Sequence, residues 1–295
     1  MMETENKVTK AVVKYLDYYR DQTSGETASH AKRTLTDFAI YLQSSNTSFD
    51  NISIEQVDQF LAFINKGYAP GTCRTNRSHV RKFLKYLYQH GDLKKDLGAL
   101  VVSPPEFGPP KPPKFLYAHE VQKLFDGLDL STTKDLRTNA TLHLAYYLGL
   151  RPKEIRLLTL DDISFRQKEV FIRTRKNCDP AHLPIPNNVI KAIAAYMVGG
   201  RPGTQSRVLF LQLTPPYKPV NKCDIRRDIK ECMTKNNLES STYWLRHSYA
   251  QNLLESGASI YEIKEMMGHK SLDATKKYLS IHINLMRKVI LDEPI

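Results

Sequence analysis

Arg151, Lys176, Arg246, His269 and Tyr278 are spread over the second half of a 295-residue chain, and their types suit the transfer of a phosphodiester to a side chain. Such a reaction puts extra charge on the non-bridging oxygens, so preorganised cations must face them. Guanidinium suits the task because its fork matches two oxygens and it stays protonated. Arg151 precedes Pro152, a residue favoured at the first position of a helix. It therefore stands at a loop-to-helix junction, where free N–H groups and the helix dipole favour an anion. Arg246, in Leu245-Arg246-His247, lies near what reads as another helix start. The attacking group must be an exposed hydroxyl, and Tyr278 follows a polar run from Lys270 to Lys277 that can present it. The departing oxygen needs a proton, which Lys176 can deliver from the tip of a polar turn. His269, in Met267-Gly268-His269, can bond the phosphate or help to deprotonate Tyr278.

Taken singly, each has a plainer explanation. An arginine before a proline is usually solvated, a turn lysine usually faces water, and Tyr278 is one of 16 tyrosines. His247 reads as scaffolding, and Glu154, one turn after Arg151, reads as a group that orients an arginine. The joint order of the five carries the argument.

The elements that must position them fall into two blocks. Residues 7–91 contain four helix-like segments with apolar residues at helical spacing. Thr27 is a candidate cap for the second, Ser53 with Gln56 suggests a capping box for the third, and Gly67 ends it. The fourth starts near Pro70 and carries Arg74, Arg77, Arg81 and Lys85, three, four and four residues apart, along one stripe. No aspartate or glutamate lies between Pro70 and Gly91, and a cationic face of this kind suits a phosphate backbone.

Ser103 to Lys114 reads SPPEFGPPKPPK, too proline-dense for a helix or central strand. The expected organisation is a helical domain at 1–102, a stiff linker at 103–114 and a mixed α/β domain at 115–295. In the last block, Val170 to Thr174 and Leu183 to Pro186 read as a β-hairpin around Lys176. Arg173 and Arg175 beside that lysine are further candidate DNA contacts. Helices are expected before and after the hairpin, so the fold class is mainly α with a small β-sheet.

Composition limits the partners. A net charge of +12 argues for a polyanion, most commonly nucleic acid. No apolar run of ~18 residues could span a bilayer, and the N-terminus has no signal-peptide pattern. Four cysteines without CxxC spacing indicate neither zinc nor a disulfide framework. Reduced thiols and a cytoplasmic location are expected.

From Gly149 onward the chain resembles the tyrosine recombinases, or phage-type integrases. Gly149 to Ile155 looks like the segment with that family's first catalytic arginine, and Leu245-Arg246-His247 like its second-arginine box. Met267-Gly268-His269 is similar to its Leu-Gly-His element. Lys176, eight residues before Pro184, falls where the family keeps its lysine, and Tyr278, nine after His269, where it keeps its nucleophile. The first domain resembles the family's four-helix DNA-gripping domain in layout, and the compact length suggests a Xer-like form. The resemblance implies site-specific cleavage and rejoining of double-stranded DNA through a 3′-phosphotyrosyl intermediate, with no metal or nucleotide cofactor. It also implies a homo-tetramer on synapsed DNA, with Ile283, Met286 and Ile290 in a tail that docks on a neighbouring protomer. One position departs from the family: Tyr243 stands where histidine is usual. A phenol there could donate a hydrogen bond to phosphate but would not be a cation. A catalytically idle DNA-binding protein and a phosphotyrosine-type topoisomerase are the alternatives.

Overall fold

Amphipathic periodicity resolves into twelve helices and one small sheet among the described residues of the computed structural model, which are 2–102, 112–175 and 179–278. The chain separates into two compact units, Met1–Gly108 and Pro109–Ile295. Most of the proline-dense stretch lies outside the described residues.

The first unit is helical. It comprises α1 (Met2–Gln22), α2 (Gly25–Ser44), α3 (Ile54–Ile64), α4 (Pro70–Gln89) and the short α5 (Leu97–Leu100). Leu35, Phe38, Phe60, Phe83, Leu84 and Leu87 are fully buried in its core. The cap of α2 is Ser24 rather than Thr27: the Ser24 hydroxyl accepts from the Thr27 N–H. The extended backbone at Ser24 makes it the cap residue, with Thr27 three residues on inside the helix. The Ser53/Gln56 capping box forms as expected. Helix α3 stops at Ile64, and Gly67 supplies a positive φ of 80° in the turn beyond. Along α4, Arg74 and Lys85 are exposed while Arg77 and Arg81 are half-buried. Arg81 donates from Nε to the Val101 carbonyl at 2.8 Å, so part of the cationic stripe ties α4 to the chain after α5.

The second unit holds α6 (Ala118–Asp126), α7 (Thr133–Tyr147), α8 (Pro152–Leu157), a 3-10 turn (Leu160–Asp162), β1 (Ile163–Ser164), β2 (Glu169–Ile172) and β3 (Ala181–Pro184). Then come α9 (Asn187–Gly199), α10 (Lys222–Lys235), α11 (Thr242–Glu255) and α12 (Ile260–Met267). The sheet is antiparallel in the order β1-β2-β3, with Val170 opposite Leu183 and Phe171 opposite His182. Strand β1 is too short to leave a periodic signal. Val208 to Leu211 is an extended piece carrying two isolated bridges, Thr159 with Val208 and Leu211 with Pro219. Helix α7 packs on α9, α10 and α11. Arg137 on α7 is paired at 2.6 Å with Asp228 on α10 and also donates to the Leu211 carbonyl. Both side chains are buried, and the pair is hydrogen-bonded, the condition under which buried charge is tolerated.

Beside the main core lies a smaller apolar cluster: Tyr249, Ala250 and Leu254 of α11, Ile263 and Met267 of α12, and Tyr278. It packs the turn after α12 and a helical turn at 273–278 against α11. This cluster positions the site.

Candidate active site

Gly149 takes φ +59°, and a Cβ there would lie 2.3 Å from Tyr249 Cδ1, so only glycine fits. The chain then turns into α8 with Arg151 as its N-cap residue. Glu154, 3% exposed, accepts from the Arg151 backbone N–H at 2.8 Å and from its Nη1 at 2.6 Å. It thus fixes the first arginine at both ends. Arg246 Nη1 lies 3.9 Å from the same carboxylate.

Arg246 is the fifth residue of α11, one turn further in than its motif suggests, and it is 5% exposed. Its two terminal nitrogens donate to the carbonyls of Gly149 and Met267. Burial, with Arg151 alongside, pulls its pKa down to about 10. Arg151 Nη2 donates to the Gly268 carbonyl at 3.2 Å. The two arginines share one buried carboxylate, which leaves a positive excess suited to a bound anion.

The turn after α12 is built on Gly268, left-handed at φ 59°. His269 follows, its Nδ1 2.8 Å from Thr275 Oγ1. Burial first, then Arg246 and Arg151, push its pKa down to about 3, so the ring is neutral near pH 7. Thr275 and Tyr278 lie three apart on the helical turn at 273–278, so the His269 contact tethers the tyrosine's own helix.

Tyr278 is not presented to solvent as its polar prelude suggests; it is 1% exposed. Polar neighbours in sequence say nothing of the opposite face of a helix, and that face packs into the small apolar cluster. Burial raises its pKa to about 12, against the pull of Arg246 and Arg151. Its hydroxyl lies 2.8 Å from Nδ1 of His247, whose pKa burial, then Lys277 and Arg246, lower to about 4. In the tautomer with its proton on Nε2, the neutral imidazole accepts from the phenol at Nδ1, the form in which it can take the tyrosine's proton. His247, rather than His269, is therefore the tyrosine's partner. Its place directly after Arg246 was the available signal, and Thr275, one turn before Tyr278, was another.

Lys176 lies outside the described residues. Arg173 pairs with Asp162 at 2.5 Å and lies over the Phe171 ring, braced against the sheet. Arg175 is 7% exposed and donates to the Glu265 and Met266 carbonyls. In this structure its fork is taken up by main-chain carbonyls of α12, not turned to the surface as a DNA contact at the hairpin would be. Tyr243, 45% exposed in the first turn of α11 and three residues before Arg246, has its ring 6.0 Å from the Arg226 guanidinium. Its hydroxyl makes no hydrogen bond among the described residues. Accordingly Tyr243→Phe is expected to leave any strand-cleavage rate within about twofold. A drop of tenfold or more, the scale of a lost bond to a charged group, would place that hydroxyl on the phosphate.

The depressed histidines make stability pH-dependent. His247 and His269 bind protons more weakly when folded, at about 4 and about 3, than at 6.5. The unfolded chain therefore takes up protons first as pH falls below 6.5, and the stability they contribute is lost from there downward. After discounting for partial exposure, each should cost about 1 kcal/mol between pH 7 and 5. Urea melts at the two pH values should show a smaller loss in His247→Gln and His269→Gln; equal losses in parent and variants would refute the assignment.

Residues 114–284 match the Phage integrase family, and residues 12–91 match the Phage integrase, N-terminal SAM-like domain. The chain belongs to the phage integrase family, the tyrosine recombinases. It is 24% identical to tyrosine recombinase XerC of Bacillus subtilis over 98% of this chain and 97% of that protein. A Sinorhizobium fredii protein named as an integrase/recombinase, y4rF, is 29% identical over 76% of this chain. The match spans only 54% of that protein, so the chain covers about half the length of some relatives. Among solved structures, a lambda integrase dimer bound to a COC' core site superposes with a TM-score of 0.71, at 14% identity, over 92% of this chain and 94% of that one. At that identity the likeness speaks for the fold.

Proposed function

We propose that the protein is a site-specific DNA recombinase that cleaves and rejoins strands through a phosphotyrosyl intermediate. The observation that carries this is the convergence of Arg151, Arg246, His269 and Tyr278, from four separate segments, around one turn. Relatives named tyrosine recombinase and integrase, some solved with DNA, support the same reading.

In this mechanism a scissile phosphate takes the place of the carbonyls that hold Arg151 and Arg246. The two guanidinium forks stabilise the charge that grows on its non-bridging oxygens. Since His269 Nδ1 is occupied by Thr275, Nε2 is the nitrogen for the phosphate. Tyr278 Oη attacks phosphorus, its proton passes to His247 Nδ1, and the bond from phosphorus to the 5′ oxygen breaks. That oxygen takes a proton from a general acid, the role assigned to Lys176. A 5′ hydroxyl from the partner duplex reverses the sequence, so the bond energy is conserved without an energy-rich cofactor. DNA is the substrate, and the α4 stripe Arg74, Arg77, Arg81 and Lys85 is a candidate backbone contact. A four-protomer synapse with exchanged C-terminal tails belongs to this proposal; the tail residues lie outside the described part of the chain.

Tyr278 is closed off in the structure, so its pocket must open to the phosphate with Oη still within reach of His247 Nδ1. It sits in a satellite cluster of six buried residues rather than in the main core, and burying one large side chain is worth roughly 1.5–3 kcal/mol. Contacts with DNA or a second protomer can offset a cost of that size.

Incubating the protein with a duplex nicked next to the scissile phosphate should trap a covalent adduct, since the released fragment diffuses away. Peptide mapping should find the DNA on Tyr278. An adduct elsewhere, or none on any bound site, would refute the proposal. Relaxation of supercoils at no defined sequence would favour the topoisomerase alternative.

A further inference from the structure

Four successive carbonyls at the end of α12 are held by three guanidinium groups. Arg175 donates from Nη1 to Glu265 O at 3.0 Å and from Nη2 to Met266 O at 2.5 Å. Arg246 bonds Met267 O, and Arg151 bonds Gly268 O. A helix C-terminus leaves its last carbonyls unpaired and carries negative partial charge, so cations there are favoured. The three differ in what they do next. Arg151 and Arg246 are the phosphate clamps of the proposed reaction, so their ties to the turn are given up when a phosphate arrives. Arg175 has no such task.

We propose that Arg175 is a positioning residue that holds the Gly268–His269 turn in place while Arg151 and Arg246 exchange its carbonyls for the scissile phosphate. The inference rests on the recombinase reading and extends it to a residue outside the clamp. A second observation supports it independently of the hydrogen bonds. Arg175 Nε is buried without a hydrogen-bond partner among the described residues. The reason is its neighbour: a Cβ on Gly268 would lie 2.7 Å from Nε and 2.8 Å from Cζ. The guanidinium lies against the bare Cα of Gly268, forgoing one hydrogen bond to do so. An arginine that served only as a solvated charge would not accept that burial. Gly268 thus answers two demands, a left-handed backbone and the close approach of Arg175. His269 follows directly in the turn so fixed, and Arg175 itself precedes Lys176 in sequence.

Lysine at 175 keeps the charge but, as a point donor, cannot reproduce the planar fork across two carbonyls. Methionine keeps the bulk and loses both bonds. On the nicked duplex, Arg175→Lys should cleave about tenfold and Arg175→Met about a hundredfold more slowly at saturating DNA, the scale of one and two lost contacts. Kd and its salt dependence should match the parent within about twofold, because Arg175 neutralises no phosphate. The coupling should also be measurable. Gly268→Ala should slow cleavage by a smaller factor in the Arg175→Met background than in the parent, since the clash is with the guanidinium. Cleavage by both single variants within twofold of the parent would overturn the proposal. So would weaker DNA binding with a shallower salt slope, which would make Arg175 a phosphate contact. If Arg175→Met melts at the assay temperature, Arg175→Lys decides alone. Absence of a Tyr278 adduct in the parent would instead refute the recombinase reading, and is scored separately.

Discussion

Tyr278→Phe should abolish the covalent protein–DNA complex while leaving DNA affinity within about twofold. The phenol is 1% exposed, and among the described residues its hydroxyl makes one hydrogen bond, with His247 Nδ1 at 2.8 Å. Phenylalanine preserves the packing against α11 and α12 and removes only the hydroxyl. The folding cost is that of leaving a half-buried imidazole nitrogen unpaired, about 1–2 kcal/mol, which a melt would register as a modest shift. Removing the nucleophile of a covalent mechanism, by contrast, lowers the rate by more than about 10⁴-fold. The measurement is adduct yield on the nicked duplex, alongside Kd by titration. Residual adduct at a tenth of the parent level would mean that another residue attacks. Lost affinity would mean that the hydroxyl binds DNA directly. The parent's pH profile adds a check: with His247 neutral above about 4, the proton acceptor is available across pH 5–8.

The site was legible in sequence to the extent that its residues are local in motif. Arg151 beside Pro152 and Arg246 before His247 could be placed on helices because caps and helical spacing are local properties. What the sequence hid is which face each side chain takes. Lys270 to Lys277 reads as a solvated run, yet Thr275 and Tyr278 point inward from it, one turn apart. Arg173 and Arg175 are neighbours of one type. Two apart, they would share a face of a regular strand, but β2 ends at Ile172, and beyond it one pairs with Asp162 and the other with the end of α12, 90 positions away. The capping carbonyls that hold Arg151, Arg175 and Arg246 belong to main chain, which carries no sequence signal at all. In the first unit the same division holds. The Ser53/Gln56 box was readable because both halves lie within four residues, whereas the bond from Arg81 to Val101 spans 20 residues.

Arg246→Lys is the second large effect, and its pH dependence separates charge from geometry. Arg246 is 5% exposed and donates from two nitrogens to two carbonyls, a geometry ready for two phosphate oxygens. A lysine ammonium cannot span both, and losing one such oriented donor costs on the order of 10²–10³ in rate. A further loss comes from burial. The pocket and Arg151 pull the arginine from 12.5 to about 10, which still leaves it fully charged near pH 7. The same pull on a lysine, which starts lower than arginine, would carry it down toward the neutral range. The variant should therefore retain its weak activity on the acid side and lose it as pH rises, because the deprotonated amine carries no charge for the phosphate. The parent should show no such decline. Single-turnover cleavage of the nicked duplex from pH 6 to 9 reads both. A variant with a flat profile would mean that an incoming phosphate, or water, restores the ammonium's charge; the loss would then be wholly one of fork geometry.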